Sequence, residues 1–192
     1  MKRNILVILG HPDSDSFCGV LARTYADQAG QAGAEVRTLA LGDIRFDPVL
    51  WKGYHRIQEL EPDLVAAQAL ITWAQHLVFI YPTWWGTLPA LMKGFFDRVF
   101  LPGFAFKYRN DSPWWDKLLA GRSAHLIVTM DTPCWYYRWI YGQPGHREMK
   151  RTILGFCGIG PIRITEFGPV RHATAPQREK WIAKVKALGN RA

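Results

Sequence analysis

Residues 76–100, HLVFIYPTWWGTLPALMKGFFDRVF, carry the clearest fold signal in the chain. The opening run over 76–81 is mostly apolar, as in a strand that is buried on both faces. A loop with two tryptophans between two prolines comes next. Pro89 then stands at a favoured first position of a helix, which we expect to extend to about residue 100. The stretch therefore predicts a buried strand, a stiff aromatic loop and a helix in succession.

The same alternation recurs on both sides of this stretch. Apolar or β-branched runs predict further strands over 4–9, 35–39, 123–130 and 161–167. Helical periodicity predicts further helices over 16–31, 63–74, 145–156 and 176–188. Strands that alternate with helices favour an α/β fold, here an open, doubly wound, five-stranded parallel sheet with helices on both faces. The segments 42–61 and 102–115 lack clear periodicity and are expected to be long loops.

Length and composition limit the class of protein. The chain has 192 residues, 48% of them hydrophobic and 21% charged, which suits one domain over residues 1–192 with a sizeable core. No apolar run approaches the roughly 20 residues that a membrane span needs. The run over 5–9 is too short for a signal-peptide core, so we expect a cytoplasmic protein. Cys18, Cys134 and Cys157 form no C-x-x-C pair, and we expect neither disulfides nor a metal site.

Charge and aromatic content indicate the kind of partner. The net charge of +8 suits an anionic partner, but the basic residues are spread over helical faces, so we expect a solvated basic surface and no nucleic-acid partner. Nine Trp, seven Tyr and ten Phe are more unusual, and several cluster at 84–85 and 135–141. Exposed aromatic clusters are typical of a site for a planar ligand or of a protein interface.

The loops that follow the first, third and fourth predicted strands are the candidate ligand site. In an open parallel sheet, ligands bind beyond the carboxyl ends of the strands. The first loop, over 10–18, contains neither a dinucleotide fingerprint nor a P-loop. Its hydroxyls and free N–H groups at a helix N-terminus suit a phosphate group. The alternative is an ordinary helix cap by Ser14, Asp15 or Ser16, and this loop alone leaves both open.

The second loop carries Trp84 and Trp85 at the ligand edge of the sheet. Two large aromatic side chains between prolines form a stiff rim that suits the face of a flat ring system. The alternative is that both tryptophans pack into the core or an interface. The third loop, over 129–133, completes the set.

The segment 81–100 resembles the central motif of the flavodoxin-like quinone reductases, the family of DT-diaphorase and of the flavoprotein partners of bacterial potassium efflux systems. Gly10-His11-Pro12, with Ser14, Ser16 and Phe17 after it, resembles the first cofactor loop of that family, and 104–108 and 156–158 are also similar to family segments. The resemblance covers nearly the whole chain. It implies a flavodoxin-like flavin-binding domain, with FMN or FAD as the cofactor and NAD(P)H as the hydride donor.

The resemblance also implies where the flavin lies. Its phosphate and ribityl end is expected at His11, Asp15, Ser16, Phe17 and Cys18. One edge of its ring system is expected at Pro82, Thr83, Trp84 and Trp85, and the other at Thr129, Met130, Asp131 and Thr132. Tyr137 and Trp85 are the implied catalytic residues, and Phe106 and Tyr108 the implied substrate pocket.

Two positions depart from the family pattern. Asp131-Thr132 stands where the family commonly has a glycine pair, and a carboxylate there disfavours reduced anionic flavin unless it points away or is paired. The family histidine near the tyrosine has no clear match. His146 is expected to be a solvated loop residue, the alternative being a loop that folds back to the site.

The implied function is hydride transfer from NAD(P)H to a quinone or similar electrophile by a ping-pong mechanism. The resemblance further implies a homodimer, in which Tyr108 of one chain closes the pocket formed by Trp84 and Trp85 of the other. One alternative is a flavodoxin-type electron carrier, which the positive net charge disfavours. Another is a regulatory flavoprotein subunit of a membrane transporter. Four questions remain open from the sequence: whether the protein serves a transporter, whether the flavin is FMN or FAD, whether the donor is NADH or NADPH, and which acceptor is physiological.

Overall fold

A computed structural model describes residues 2–192. The strands are β1 (Asn4–Leu9), β2 (Glu35–Ala40), β3 (His76–Pro82), β4 (Phe106–Tyr108), β5 (Trp115–Lys117), β6 (Ser123–Thr129) and β7 (Ile162–Phe167). Five of them form one parallel sheet in the order β2-β1-β3-β6-β7. This is the doubly wound arrangement predicted above, with its topological switch between β1 and β3. All seven residues of β3 are buried, as expected of a central parallel strand.

The helices are α1 (Phe17–Gln31), α2 (Pro62–Trp73), α3 (Ala90–Val99), α4 (Cys134–Trp139), α5 (Pro144–Arg147) and α6 (Ala175–Gly189). A 3-10 turn covers Gly53–His55, and a π-helix over Glu148–Leu154 follows α5 directly. No helix within residues 2–192 combines the length and the apolar character needed to cross a membrane.

The core lies in two layers, one on each face of the sheet. Helices α1 and α6 cover one face, where Leu21 and Val185 pack with alternate residues of β1 and β3. Helices α2 and α3 cover the other face, where Ile71 and Phe95 are fully buried. Both layers bury apolar side chains, which provides the main stabilisation of the fold, and they leave the strand ends accessible for a site.

One local prediction is wrong: the segment 102–115, expected to be a loop, includes β4, which pairs with β5 in an antiparallel hairpin. The aromatic stretch 135–141, which lies outside every predicted helix, is largely the short helix α4. The helix predicted over 145–156 is present, as α5 followed by the π-helix. Strands of three residues and helices of six are too short to display a hydrophobic period.

Candidate functional site

The three candidate loops meet at the carboxyl ends of β1, β3 and β6 around a cavity of about 180 Å³, the strand-end cavity. Most of the predicted cofactor residues line it: His11, Ser16, Phe17, Cys18, Pro82, Thr83, Trp84, Thr129, Met130 and Asp131. Asp15, Trp85 and Thr132 do not line the cavity itself. Val170, from the loop after β7, is a lining residue that sequence reasoning missed, because nothing in an apolar loop residue signals a ligand.

The first loop is held by its own side chains. His11 Nδ1 accepts a hydrogen bond of 2.9 Å from the Asp13 N–H, and Asp13 Oδ1 accepts one of 2.8 Å from the Asp15 N–H. Ser16 caps helix α1, and its Oγ accepts a hydrogen bond from the Gly19 N–H at 3.3 Å. Ser16 is therefore both the helix cap and a lining residue of the cavity, so the two interpretations of this loop are compatible.

A contact between Cys18 and Thr129 joins the first loop to the third. The Cys18 Sγ and Thr129 Oγ1 atoms lie 3.2 Å apart, and both side chains are buried. Burial raises the pKa of the Cys18 thiol to about 11, while the hydrogen bond with Thr129 opposes that shift. Cys18 is thus a neutral thiol near pH 7 and a poor nucleophile. The Thr129 carbonyl also accepts a hydrogen bond of 2.7 Å from the Thr83 N–H, which links the second loop to the third.

The second loop makes a tight turn that displays Trp85. The N–H and C=O groups of Trp84 bond to those of Thr87 at 3.2 and 3.0 Å. Trp85 and Gly86 between them have φ of +50° and +80°, as in a type I′ turn. A tryptophan with positive φ is uncommon, and such strained residues cluster at functional sites.

The two tryptophans of this loop have different environments. Trp85 is 103% exposed, so the interpretation that it packs into the core is wrong. Trp84 is 44% exposed, lines the strand-end cavity, and its ring meets the edge of His11 at a centroid distance of 5.6 Å. Trp85 follows Trp84 on the same turn and presents a free aromatic surface, although its side chain does not line the cavity.

Tyr137 lies beneath this turn and outside the strand-end cavity. Its side chain is fully buried, and its hydroxyl donates a hydrogen bond of 2.9 Å to the Gly86 carbonyl. The same hydroxyl accepts a hydrogen bond of 3.1 Å from the Gly145 N–H, which also reaches the Gly86 carbonyl at 3.2 Å. Burial raises the pKa of Tyr137. The hydroxyl is therefore engaged in holding the Trp85–Gly86 turn in place.

His146 is buried next to Tyr137, so the expectation of a solvated loop histidine is wrong. Its ring is 5.1 Å from the Tyr137 ring in an edge arrangement, and its Nε2 lies 2.8 Å from Glu166 Oε1. The physical reason is helix α5, which turns the chain back under the aromatic loop and brings His146 to β7.

Glu166 is the residue that sequence reasoning missed here. It accepts hydrogen bonds from Arg138 Nη2 at 2.9 Å and Gln143 Nε2 at 3.1 Å, besides its contact with His146. These partners lower the pKa of Glu166, the bond to His146 most of all, against the opposing effect of burial. A partly buried carboxylate on an inner position of a predicted strand was the available signal.

Asp131 is held by the loop that follows β7. Its Oδ1 accepts a hydrogen bond of 2.8 Å from the backbone N–H of Arg171, and the side chain is exposed at the edge of the strand-end cavity. The carboxylate is therefore partly compensated by a donor. Thr132, next in the chain, is half-buried.

Phe106 and Tyr108 line a different cavity of about 570 Å³, the hairpin cavity. Their rings meet edge to face at 5.2 Å; Phe106 is buried, whereas Tyr108 is 62% exposed. Lys93 and Phe96 of helix α3 and Phe156 form other parts of the wall. Within one chain this cavity shares no lining residue with the strand-end cavity, so the two predicted aromatic groups are not brought together.

The described residues offer little to a metal ion. Across residues 2–192, no three His, Cys, Asp or Glu side chains come together as a ligand cluster. The strand-end cavity instead presents hydroxyls, backbone N–H groups, a neutral thiol and aromatic faces. Such a surface can bind the polar edge and the flat face of an organic cofactor.

Comparisons with known proteins agree with the fold. A family model described as flavodoxin-like fold matches residues 3–188. A crystal structure of Smu.1420 from Streptococcus mutans superposes with a TM-score of 0.81 at 30% identity, over 98% of this chain and all of that one. A ribosyldihydronicotinamide dehydrogenase-like protein of Penicillium crustosum is 30% identical over 66% of this chain and 57% of its own length. The NAD(P)H dehydrogenase [quinone] 1 of Cavia porcellus is 29% identical over 55% of this chain and 46% of its own length. The chain thus spans about half the length of these two curated relatives.

Proposed function

The chain belongs to the flavodoxin-like fold family, and from this premise we propose that it is a flavin-dependent oxidoreductase acting between NAD(P)H and a quinone or similar electrophile. One curated relative is named an NAD(P)H dehydrogenase [quinone], and the other a ribosyldihydronicotinamide dehydrogenase-like protein. The observation that carries the proposal is the strand-end cavity, where three loops converge beside an exposed tryptophan held in a left-handed conformation.

The residues around the cavity fit a flavin, either FMN or FAD. Ser16, Phe17 and Cys18 stand at the start of the 15-residue helix α1, where free N–H groups and the helix dipole favour a phosphate. Pro82, Thr83 and Trp84 offer backbone and aromatic surface to a flat ring. The one lining carboxylate, Asp131, accepts a hydrogen bond from the Arg171 N–H, so it does not stand unpaired against a flavin. A bound flavin supplies the two-electron chemistry, which side chains alone cannot perform.

The protein's own residues then bind, orient and shield. Trp85 offers an aromatic face beside the cavity, against which a second ring can stack while water is excluded. Tyr137 acts as a positioning residue through the Gly86 carbonyl. Cys18 remains a neutral thiol and is therefore protected from oxidation beside a redox site. Because donor and acceptor are both planar, we expect them to use this face in turn, which gives ping-pong kinetics.

A homodimer is part of the proposal. Trp85 and Tyr108 both expose large aromatic surfaces, and the hairpin cavity, formed by Tyr108 together with helix α3 and the π-helix, is largely apolar in its lining. Apolar patches of this kind mark interfaces. A second copy related by two-fold symmetry can bring Tyr108 of one chain over the Trp85 of the other, completing two equivalent pockets.

A cytoplasmic location also belongs to the proposal, supported by three cysteines that form no disulfide.

Flavin binding is the first test. Purified protein is titrated with FMN and with FAD, and the change in visible absorbance is followed. We expect one flavin per chain, followed by oxidation of NADH or NADPH that depends on an added quinone. Ser16→Ala removes a hydroxyl at the phosphate end, so it should weaken flavin affinity roughly tenfold, the effect of losing one hydrogen bond to a charged group.

The matched control is Ser112→Ala, which likewise removes a hydroxyl that accepts a backbone N–H, here that of Trp114 in the hairpin. Its flavin affinity should equal that of the unaltered protein. A protein that binds neither FMN nor FAD would contradict the proposal. A flavoprotein that NAD(P)H cannot reduce, but that exchanges single electrons with protein partners, would favour the electron-carrier alternative.

A further inference from the structure

A third cavity lies at the opposite, amino end of the central sheet. It has a volume of about 220 Å³ and lies on the face covered by helices α1 and α6. We call it the amino-end cavity; its polar walls are Arg3, Tyr25, His76, Ser123, His125 and Arg163, with Arg191 after helix α6 at its rim. None of these residues takes part in the strand-end cavity.

Sheet register explains why these side chains converge. His76 opens β3 and pairs with Ser123, which opens β6, while His125 two residues later pairs with Arg163 of β7. Residues two apart on a strand point to the same face, so His125 lies on the face of Ser123. Tyr25 of helix α1 is almost fully buried above them. Polar residues thus occupy strand positions that are filled by apolar core residues nearer the carboxyl end.

The cavity carries net positive charge. Among residues 2–192, three arginines and no Asp or Glu side chain line it, and the α-carboxylate of Ala192, another lining residue, can compensate only one of the three charges. Arg3 Nη2 donates a hydrogen bond of 2.8 Å to Ser123 Oγ, which also lies 2.8 Å from His76 Nδ1. Arg163 and Arg191 belong to none of the ion pairs formed within residues 2–192. Both side chains are exposed to solvent, so their guanidinium groups are free to bind an anion that enters the cavity.

The two histidines that line the cavity have lowered pKa values, partly because of the nearby arginines. Burial lowers the pKa of His76 to about 3, and Arg3 contributes to that shift. Burial likewise lowers the pKa of His125 to about 4, with Arg163 as the next cause. Both rings are therefore neutral near pH 7. His76 Nδ1 contacts Ser123 Oγ and His125 Nε2 contacts Thr165 Oγ1 at 2.9 Å, so the other nitrogen of each ring can donate to an anion in the tautomer that places the proton there. The cavity then offers guanidinium, imidazole and hydroxyl donors together, which is the donor set that phosphate oxygens prefer.

We propose that the amino-end cavity binds a phosphate-type oxyanion, as inorganic phosphate or as the phosphate of a small phosphomonoester. Its volume of about 220 Å³ is several times the roughly 30 Å³ that one water occupies in the liquid, so a tetrahedral anion fits. A bound oxyanion would tie together the start of β1, strand β7 and the end of helix α6 through Arg3, Arg163 and Arg191. The site lies a full strand length, about 20 Å, from the strand-end cavity.

The test uses the protein saturated with FMN, so that phosphate cannot occupy the strand-end cavity. Inorganic phosphate is titrated at constant ionic strength and pH 7, and the ring signals of His76 and His125 are followed by NMR. We expect both signals to shift saturably, and Arg163→Gln to weaken the phosphate affinity about tenfold or more, as for one lost charge-assisted hydrogen bond. Arg56→Gln, at an exposed arginine of the loop before α2, should leave the affinity unchanged.

A parallel titration with glycerol 3-phosphate distinguishes the two sources of the anion. Tighter binding than inorganic phosphate indicates a phosphomonoester ligand, and weaker binding indicates free phosphate; both support the site. The proposed oxyanion site would be overturned if the histidine signals responded to sodium chloride as they do to phosphate. It would also be overturned if the signals shifted equally in Arg163→Gln and in the unaltered protein. Because the reporters lie at the amino end of the sheet, the same titration can be read without FMN should the flavin proposal fail.

Discussion

The Tyr137 hydroxyl donates a hydrogen bond of 2.9 Å to the Gly86 carbonyl and so connects helix α4 to the turn that exposes Trp85. Behind it, His146 contacts both the Tyr137 ring and the Glu166 carboxylate. A buried chain of polar residues therefore runs from strand β7 to the aromatic turn. Such fully bonded networks hold a site in one arrangement, because breaking any link leaves a buried group unsatisfied.

Replacing Tyr137 by Phe tests the first link of this chain. We expect Tyr137→Phe to lower the free energy of unfolding by about 1 kcal/mol, the usual net value of one hydrogen bond. Turnover should also fall, since the turn that holds Trp85 loosens. Urea unfolding and a quinone reductase assay measure the two effects. Tyr136→Phe is the control, because Tyr136 is half-buried and packs by its ring against Trp135 and Tyr141; equal losses in both variants would argue against a positioning role.

Two substitutions at Trp85 distinguish the effect of losing its ring from the effect of its positive backbone φ angle. Because the side chain is fully exposed, Trp85→Ala should change stability by no more than about 0.5 kcal/mol while reducing turnover strongly. Trp85→Gly should lose turnover equally but gain about 1 kcal/mol of stability over the alanine variant, since glycine adopts positive φ without strain. If either variant kept full turnover, Trp85 would have no part in the reaction.

The shared site predicts behaviour that only a dimer can show. Light scattering at micromolar concentration should report about twice the chain mass of 22.0 kDa. Tyr108→Ala and Trp85→Ala should each be inactive, yet mixing them should restore part of the activity, because a hybrid dimer contains one pocket with both aromatic residues. A monodisperse monomer with full quinone reductase activity would refute this arrangement.

Because of His76 and His125, we expect the free energy of unfolding to fall at acidic pH. Their folded pKa values, about 3 and about 4, lie below the ordinary value of 6.5, so the unfolded chain binds protons first as the pH falls. Stability should therefore decrease from pH 6.5 downward, by about 2 kcal/mol for each histidine at pH 5. Urea unfolding at pH 7 and pH 5 measures this loss. His125→Gln should reduce it, whereas the exposed His55→Gln should not; identical losses in the two variants would contradict the assignment.

Local patterns were sufficient for the sheet and for most of the strand-end cavity. The predicted runs match the five parallel strands and the helices α1, α2, α3 and α6 to within a few residues. Buried strands and amphipathic helices have a hydrophobic periodicity that can be recognised in the local sequence. Parallel strands also end at one edge of the sheet, so the loops 10–18, 82–89 and 129–133 were expected to meet there.

Contacts between distant segments were decided by tertiary structure alone. No period along the chain relates His146 to Glu166, or Arg3 to Arg163, because each pair meets only when different elements dock. The exposure of Trp85 depends on a left-handed turn braced by Tyr137, and the separation of Tyr108 from it depends on where the β4–β5 hairpin lies. Side-chain identity sets what each residue can bind, whereas packing sets which residues act together, and only the folded chain contains that information.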